Sequence, residues 1–443
     1  MLGPRSPVFS VCPNSNSPKN PMQLDSNFSL QTRRQFLTKL GLGAAATWTV
    51  PLFLDRTFGA LETSASGVTQ AVTGKDSPIL VVLQLAGGND GLNTLIPYSD
   101  DTYHRVRPTL GVDPKNILRL DDHFGFHPSL SGLKSLHDEG LLATIHGVGY
   151  PNPNRSHFRS TEIWQTASAA NISEKHGWLG SYFDNACAGC DPTVGVSLSN
   201  EMPQAFTAAT PTGICLPTNI RLNARGDEEE VDSGGSSIDM LGGATKSKLS
   251  PLDYLKRTSL DGKMSQSKIT EILQRNPTPL GFPNHELGQQ FSTISRLIAG
   301  ELPTRVYYLS LGGFDTHNRQ QPTHERLMET LSTSITAFVR EMQRQGNYHR
   351  VMLLTFSEFG RRVAENASGG TDHGTAAPML ITGGAIAPGL HGKAPSLTDL
   401  DAGDLKYTTD FRSIYATVLD KWLKTDSKKV LHGQFARQDF INA

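Results

Sequence analysis

The sequence predicts an α/β fold, a doubly wound and mostly parallel sheet with helices on both faces, in one large domain over residues 78–443. Two observations predict it. Five apolar runs of strand length occur in this part of the chain, and such runs are typical of strands covered on both faces. Stretches with helical periodicity lie between them, and strands that alternate with helices favour a parallel sheet. The 443 residues, of which 37% are hydrophobic and 19% charged, have the composition of a globular protein.

The expected strands span residues 79–85, 141–148, 305–311, 351–356 and 378–382. We expect a helix before the second strand, over residues 130–139, and another after it, from His157 to about residue 170. A long helix over about residues 323–345 is expected between the third and fourth strands. Its apolar positions recur at helical spacing on one face, and they are Leu327, Leu331, Ile335, Phe338, Val339 and Met342.

An insertion interrupts this pattern at about residues 221–250. It contains three consecutive glutamates followed by a segment rich in glycine and serine, which predicts a mobile surface loop. Residues 239–276 have the pattern of amphipathic helices, which would cover either the functional site or a binding surface for a partner.

The first 65 residues are interpreted as targeting sequence rather than as part of the fold. Residues 1–31 are polar and predict a disordered extension. In residues 32–65, Arg33 and Arg34 precede an uncharged run of 15 residues, 40–54, which is shorter than the roughly 20 needed to span a bilayer. This pattern predicts a signal peptide read by the twin-arginine export machinery, a periplasmic or secreted protein and no stable membrane span. The alternative is a basic cap on a buried helix.

Charge and cysteine content exclude two classes of protein. Lys and Arg total 41 and Asp and Glu total 42, so the net charge of −1 argues against a dedicated nucleic-acid binder. Four cysteines are too few for a disulfide scaffold in a chain of this length. Cys187 and Cys190 form a single C-x-x-C pair, which we interpret as a local disulfide or as free thiols; a redox function is the lesser alternative.

Carboxylates and imidazoles gather where the predicted strands end, and ligands of open α/β sheets bind beyond the carboxyl ends of the strands. These side chains are Asp90 after the first strand, Asp315, His317 and His324 after the third, Glu358 after the fourth, and Asp372 and His373 before the fifth. Oxygen and nitrogen donors of these types suit zinc or manganese, so we predict one or two divalent metal ions. In the alternative interpretation Asp90 forms a turn, Asp315 caps a helix and the histidines are ordinary polar residues.

A second polar group follows the second strand: Arg155, Ser156, His157 and Arg159. Ser156 lies at the expected start of a helix, where free N–H groups attract anions, and the two arginines would add charged donors for a phosphate or sulfate group. The Ser156 hydroxyl is either a helix cap, or a nucleophile activated by a metal, or both. His157 is either an acid or base or an ordinary polar contact.

The chain resembles members of the domain-of-unknown-function family DUF1501, exported proteins related in fold to the alkaline phosphatase and sulfatase superfamily. The resemblance covers nearly all of residues 78–424. It depends on five blocks in order: Gly-Gly-Asn-Asp-Gly at 87–91, Arg-Ser-His-Phe at 155–158, Gly-Gly-Phe-Asp-Thr-His at 312–317, Ser-Glu-Phe-Gly-Arg at 357–361 and Gly-Thr-Asp-His-Gly at 370–374.

The resemblance implies an alkaline phosphatase-like fold and roles for individual residues. Asp90 would bridge two metals, and Ser156 would occupy the nucleophile position. Asp315 would bind the first metal together with His317 or His324, and Glu358 and His373 would complete the sites, with Asp372 as a further ligand. Asp315 and His317 are two positions apart, whereas the superfamily commonly places Asp and His four apart at this site.

The leading hypothesis is therefore an exported, metal-dependent hydrolase of phosphate or sulfate esters. Its substrate would be a small anionic ester or a polymer that carries such esters. The alternative is a non-enzymatic exported protein that keeps the phosphatase-like fold for binding or assembly, because a fold alone does not imply an activity.

Overall fold

A large mixed sheet forms the centre of the fold. The computed structural model describes residues 76–187, 190–210, 212–217 and 264–442, all within the unit Thr69–Ala443. The strands in these residues are β1 Ile79–Leu85, β2 Leu95–Ile96, β3 Leu118–Arg119, β4 Gly125–Phe126, β5 Ala143–Gly149, β6 Gly195–Ser197, β7 Ile214–Cys215, β8 Val306–Leu311, β9 Val351–Phe356, β10 Ala377–Gly383, β11 Gly389–His391, β12 Leu400–Asp401, β13 Asp404–Leu405 and β14 Thr409–Asp410. The predicted extension over 1–31, the signal region over 32–65 and the loop over about 221–250 lie outside the described residues.

The main sheet has nine strands in the order β11-β5-β10-β9-β1-β8-β6-β7, with β14 paired to β5. β1 is parallel to both of its neighbours, β8 and β9. β10 is antiparallel to both β9 and β5, so β5 points in the same direction as β1. The predicted α/β fold with a mostly parallel sheet is confirmed. The antiparallel direction of β10 was not predicted, because an apolar run in the sequence indicates a strand but not its direction.

The helices of the described residues follow the predicted alternation with strands. They are α1 Asp101–Val106, α2 Ser131–Asp138, α3 His157–Thr166, α4 Trp178–Ala186, α5 over residues 264–275, α6 Glu286–Ala299, α7 Gln320–Arg344, α8 Phe411–Thr417 and α9 Ser427–Val430. Short 3₁₀ turns occur at Gly91–Asn93, Pro128–Leu130, Pro192–Val194, Gln204–Phe206 and Tyr348–Arg350, and a π-helical turn at Val418–Trp422 extends α8. Within the described ranges, every helix is too short or too polar to serve as a membrane span.

Helices cover both faces of the sheet, as predicted. Alternate side chains of β1 point to opposite faces, so Leu80 and Val82 join one buried cluster and Val81 and Leu83 join another. The first cluster is completed by side chains of α3, α4 and α8, among them Trp164, Trp178, Tyr182, Phe411 and Tyr415. The second is completed by α2, α6 and α7, among them Leu133, Phe291, Leu331, Ile335 and Phe338. Burial on both faces explains why these strands are continuously apolar.

The strand directions bring five segments to one edge of the sheet. β1, β5, β8 and β9 all end there, and the antiparallel β10 begins there. The segment before β10 therefore lies beside the segments that follow the other four strands. The polar blocks singled out in the sequence all occur in these five segments.

Candidate metal centre

Three side chains from three of these segments converge. His157 is the first residue of α3, Asp315 follows β8, and His373 precedes β10. One ligand atom from each lies within 4.8 Å of the other two. The His373 Nε2 atom is 3.1 Å from Asp315 Oδ1, and His157 Nε2 is 3.5 Å from Asp315 Oδ2. We call His157, Asp315 and His373 the metal triad.

The position of His157 follows from how α3 docks on the sheet. His157, Ser160 and Trp164 are spaced three and four residues apart, so they share one face of the helix. The Ser160 hydroxyl and the Trp164 indole both donate to the backbone carbonyl of Glu358, the latter at 2.8 Å. This docking brings the imidazole of His157 beside the carboxylate of the same glutamate.

Glu358 orients the His157 ring. Its carboxylate is buried, and Oε1 lies 2.8 Å from His157 Nδ1 and accepts from the Gly87 N–H at 2.8 Å. In the tautomer in which His157 Nδ1 donates to this oxygen, the lone pair of the ring lies on Nε2, the nitrogen nearest Asp315. Within the described chain, His157 Nε2 and Glu358 Oε2 are buried without a hydrogen-bond partner. Both atoms are therefore free to contact a ligand.

His317 and Asp372 extend the triad. The Nε2 atom of His317 is 2.9 Å from His373 Nε2 and 3.1 Å from Asp315 Oδ1. On its other side, His317 Nδ1 is 3.4 Å from Asp372 Oδ1. Two imidazole nitrogens at this separation repel each other unless a proton or a cation lies between them. His317 is thus a further nitrogen donor, and Asp372 is the carboxylate that orients it.

Arg361 keeps Asp315 charged. Burial raises the pKa of Asp315, but hydrogen bonds from Arg361 and His373 outweigh that effect and lower the pKa to about 2. Arg361 is itself fully buried, and Nη2 lies 2.8 Å from Asp315 Oδ1. Its guanidinium also donates to four backbone carbonyls, those of Gly87, Gly88, Phe314 and Thr371. One cation therefore ties together the segments after β1, after β8 and before β10.

The close approach of two of these segments requires glycine at position 87. Gly87 has a φ of 118°, and a Cβ atom there would lie 2.5 Å from the backbone nitrogen of Asp315. A larger residue would be strained and would also displace Asp315.

Asp90 and His324, two of the predicted metal ligands, do not join this group. Asp90 Oδ2 lies 2.6 Å from Arg107 Nη1, neither side chain is exposed, and Gln320 donates to the same oxygen. Burial raises the pKa of Asp90, but the Arg107 guanidinium more than compensates and the pKa is lowered. His324 is fully buried 3.4 Å from Asn89 Oδ1, and burial lowers its pKa to about 4, so it is neutral. We therefore leave both residues out of the metal triad.

The serine and the two arginines of the second polar group have different surroundings. Ser156 occupies the N-cap position of α3 and is exposed, but its side chain makes no capping hydrogen bond. Arg155 pairs with the buried carboxylate of Asp404, with Nε 2.7 Å from Oδ2. Arg159 pairs with Glu162 at 2.6 Å and donates to the carbonyls of residues 169, 170 and 172. The expected anion-binding arginines thus already have protein partners.

Sequence reasoning missed three residues that shape this region. Arg107, Gln320 and Asp404 stand outside every motif block, and only the structure reveals them as partners of Asp90 and Arg155. The alternative interpretation of Asp315 as a helix cap is wrong, because the next helix, α7, begins at Gln320 and has Arg319 at its N-cap position.

We predict that Asp90→Asn destabilises the protein but leaves metal binding unchanged. The substitution leaves the Arg107 guanidinium buried without its counter-charge, which costs about 3–5 kcal/mol. Chemical denaturation measures the loss, and metal analysis of the folded variant measures retention. The matched control is Asp138→Asn, which breaks an exposed pair with Lys134 and should cost less than about 0.5 kcal/mol. Loss of bound metal from a folded Asp90→Asn protein would assign Asp90 to the metal site instead.

Arg361→Lys is predicted to lower the free energy of unfolding by about 2 kcal/mol or more, because lysine keeps the charge but cannot reach the four carbonyls and Asp315 together. Denaturation of this variant is compared with that of Arg362→Lys, at the neighbouring and partly exposed arginine, which should change stability by less than about 0.5 kcal/mol. Equal stability of the two variants would contradict the role given to Arg361.

Several solved structures are similar to this chain at low identity. The C-terminal periplasmic domain of EcEptC from Escherichia coli, in a complex with Zn, has 11% identity and a TM-score of 0.34, with 70% of this chain and 74% of that chain covered. A protein in the alkaline phosphatase superfamily from Vibrio parahaemolyticus has 10% identity and a TM-score of 0.36, with 83% and 73% covered. The PsFucS1 sulfatase from Pseudoalteromonas sp. has 10% identity and a TM-score of 0.35, with 82% and 73% covered.

Among curated proteins, none matches the chain. The sequence model of the family described as "Protein of unknown function (DUF1501)" matches residues 78–440, which is most of the chain and confirms the resemblance seen in the five motif blocks. The protein therefore belongs to the DUF1501 family.

Proposed function

We propose that this protein is a metal-dependent hydrolase of phosphate or sulfate esters, with its centre at the metal triad. The observation that carries the proposal is the convergence of His157, Asp315 and His373, whose ligand atoms lie within 4.8 Å of one another, next to two buried polar atoms without partners. One of those atoms, His157 Nε2, belongs to the triad, and the other, Glu358 Oε2, belongs to the carboxylate that contacts His157. Export to the periplasm or the cell exterior by the twin-arginine route is part of the proposal, and its signal lies outside the described residues.

The donors present fit a divalent ion. Two imidazoles and one ionised carboxylate form the triad, His317 supplies a third imidazole, and these ligand types suit zinc or manganese. The unpaired His157 Nε2 is the atom that a cation would satisfy. When bound, such an ion would polarise the ester and lower the pKa of a nearby hydroxyl or water.

The remaining side chains position the ligand residues. Glu358 fixes the tautomer of His157, Asp372 orients His317, and Arg361 keeps Asp315 ionised at neutral pH. Carboxylate partners of this kind are what metal-ligating histidines normally have.

Ser156 remains our candidate nucleophile. Its hydroxyl is exposed, directly precedes His157 and is not used in capping α3. Arg155 is our candidate for holding the anion, because its side chain is 42% exposed beside Ser156 although one edge of the guanidinium is bound to Asp404. We do not give this role to Arg159, since Glu162 and carbonyls of the segment that follows α3 hold its guanidinium.

A second candidate function is binding or assembly without catalysis. The observation that favours it is the Asp90–Arg107 ion pair, which uses the carboxylate that the family resemblance assigns to a bridge between two metals. A protein that retained one ion for structure and had lost the second would have this arrangement.

The triad predicts that purified protein retains about one equivalent of zinc or manganese after dialysis. His373→Ala and Asp315→Asn should each weaken metal affinity by about 100-fold or more, because each removes a ligand. Elemental analysis and competition with a chromogenic chelator measure this. The control is His349→Ala, an exposed histidine that contacts the carbonyl of Gly346. Metal retention by both triad variants would exclude the proposed site.

We expect activity on at least one ester in a panel of phosphate monoesters, phosphate diesters and sulfate esters. Ser156→Ala should lower kcat on that ester by about 100-fold or more while metal content stays unchanged, because the nucleophile is lost and the ligands are kept. Ser131→Ala, an exposed serine at the start of α2, is the matched control.

The outcomes of this panel separate the two functions. If metal-loaded protein hydrolyses none of the esters, hydrolysis is excluded and binding or assembly without catalysis is the function that remains. Full activity of Ser156→Ala on a cleaved ester would exclude the serine as nucleophile and leave a water molecule in that role.

A further inference from the structure

A backbone hydrogen bond after α4 brings the two cysteines of the C-x-x-C pair together. The Cys187 N–H donates to the Phe183 carbonyl at 2.9 Å, which holds Cys187 on the last turn of the helix. The Cys190 N–H donates to the Cys187 carbonyl at 2.9 Å. A backbone hydrogen bond of this spacing brings the Cα atoms of its two residues to within about 7 Å of each other. Disulfides need Cα atoms roughly 4.4–6.8 Å apart, so this hydrogen bond is compatible with a disulfide between the two cysteines.

The two side chains occupy the same surroundings but differ in exposure. Cys187 belongs to the buried hydrophobic cluster on the face of α3 and α4, and Cys190 packs against that cluster while partly exposed. Both are free thiols here. Hydrogen bonding between the two thiols raises the pKa of Cys187, which burial raises further, and lowers the pKa of Cys190. The accessible sulfur is therefore the more reactive one, because the thiolate is the attacking species.

We propose that Cys187 and Cys190 are a redox-active pair that closes into an intramolecular disulfide by exchange with a small-molecule disulfide. Cys190 is the attacking thiol and Cys187 is the resolving thiol. The pair lies at the end of α4 and shares no residue with the metal triad, so this inference does not depend on the proposed hydrolase function.

The exchange is balanced in two steps. The Cys190 thiolate attacks one sulfur of glutathione disulfide, the bond between the two glutathione sulfurs breaks, and one glutathione thiolate leaves. Cys187 then loses its proton to water and attacks the Cys190 sulfur of the mixed disulfide, which releases the second glutathione thiolate. The two protein thiols are oxidised to one disulfide, and glutathione disulfide is reduced to two thiols.

The closed disulfide would join two anchored elements. α4 ends at Ala186, and Asp191 caps the 3₁₀ turn Pro192–Val194, which leads directly into β6. Oxidation would thus fix the chain between a helix on one face of the sheet and a strand within it.

The test uses the full chain, purified in reduced form and equilibrated with glutathione redox buffers before alkylation and peptide mass spectrometry. We expect the peptide that contains Cys187 and Cys190 to lose two hydrogen atoms and to resist alkylation, while Cys215 is alkylated. Cys215→Ser is the matched control and should form the same disulfide. Alkylation of both Cys187 and Cys190 in buffer dominated by glutathione disulfide would overturn the proposal.

Single substitutions test the order of attack. Cys187→Ser should accumulate a stable mixed disulfide between glutathione and Cys190, because no second thiol is present to resolve it. Cys190→Ser should react at Cys187 about tenfold more slowly, since that sulfur is buried and protonated. Cys187→Ala replaces Cys187→Ser if the buried hydroxyl impairs folding. Faster modification of Cys187 than of Cys190 would overturn the assignment of roles.

Discussion

The buried guanidinium of Arg361 is the interaction on which the functional edge of the sheet depends. Its nitrogens contact carbonyls of residues that follow β1, that follow β8 and that precede β10, and Arg361 itself follows β9. A buried cation without partners costs several kcal/mol, so these segments cannot separate without a large loss of stability. The same guanidinium binds Asp315, so the fold and the candidate metal ligand are held by one group.

Two polar groups lie at this edge, and they differ in how far they are buried. The inner group, around Asp90 and Arg107, is buried and its charges are matched. The outer group, around the metal triad, is partly exposed and leaves two polar atoms without partners. A buried ion pair with matched charges resists separation, whereas partly exposed polar atoms remain accessible to a ligand.

The two groups are connected through Gln320 and Thr371. The Gln320 side chain donates to Asp90, and its oxygen accepts from the Thr371 hydroxyl at 2.6 Å. The Thr371 carbonyl in turn accepts from Arg361 at 2.9 Å. The rigid inner network thus fixes the backbone of the segment that carries Asp372 and His373. This arrangement preorganises the outer donors without using any of them.

The elements that the sequence predicted best are those with a strong periodic signal. The bounds of β1 and β9 agree with the predicted strands because both are continuous apolar runs between polar segments. The approximate position of α7 followed from its apolar face, although it begins three residues earlier than expected, at Gln320. The direction of β10 was not predictable, since it depends on pairing with β5 and β9, which are distant in the sequence.

The sequence predicted which residues lie near the candidate site, but not which of them are buried and which are exposed. Sequence position placed Asp90 and Asp315 in equivalent places, each after a parallel strand. Each pairs with a buried arginine, but Asp90 is itself fully buried, whereas Asp315 is 49% exposed beside three histidines. No pattern in the sequence marks Arg107 as the partner of Asp90, so a fully buried carboxylate could not be distinguished from a partly exposed one.

The Gly-Gly-Asn-Asp-Gly block shows that a motif near a candidate metal site need not consist of metal ligands. The Gly87 N–H donates to Glu358, the Gly88 carbonyl accepts from Arg361, and the Asn89 N–H donates to Ser357 at 2.8 Å. Asp90 completes the block by pairing with Arg107. Each of these contacts holds another segment in place, and most of them are made by backbone atoms. The backbone contacts do not depend on the side chain, and glycine is needed at position 87 because the backbone of Asp315 approaches so closely. The block therefore affects the candidate site indirectly, by fixing the positions of Glu358 and Asp315. The candidate ligands themselves come from other segments.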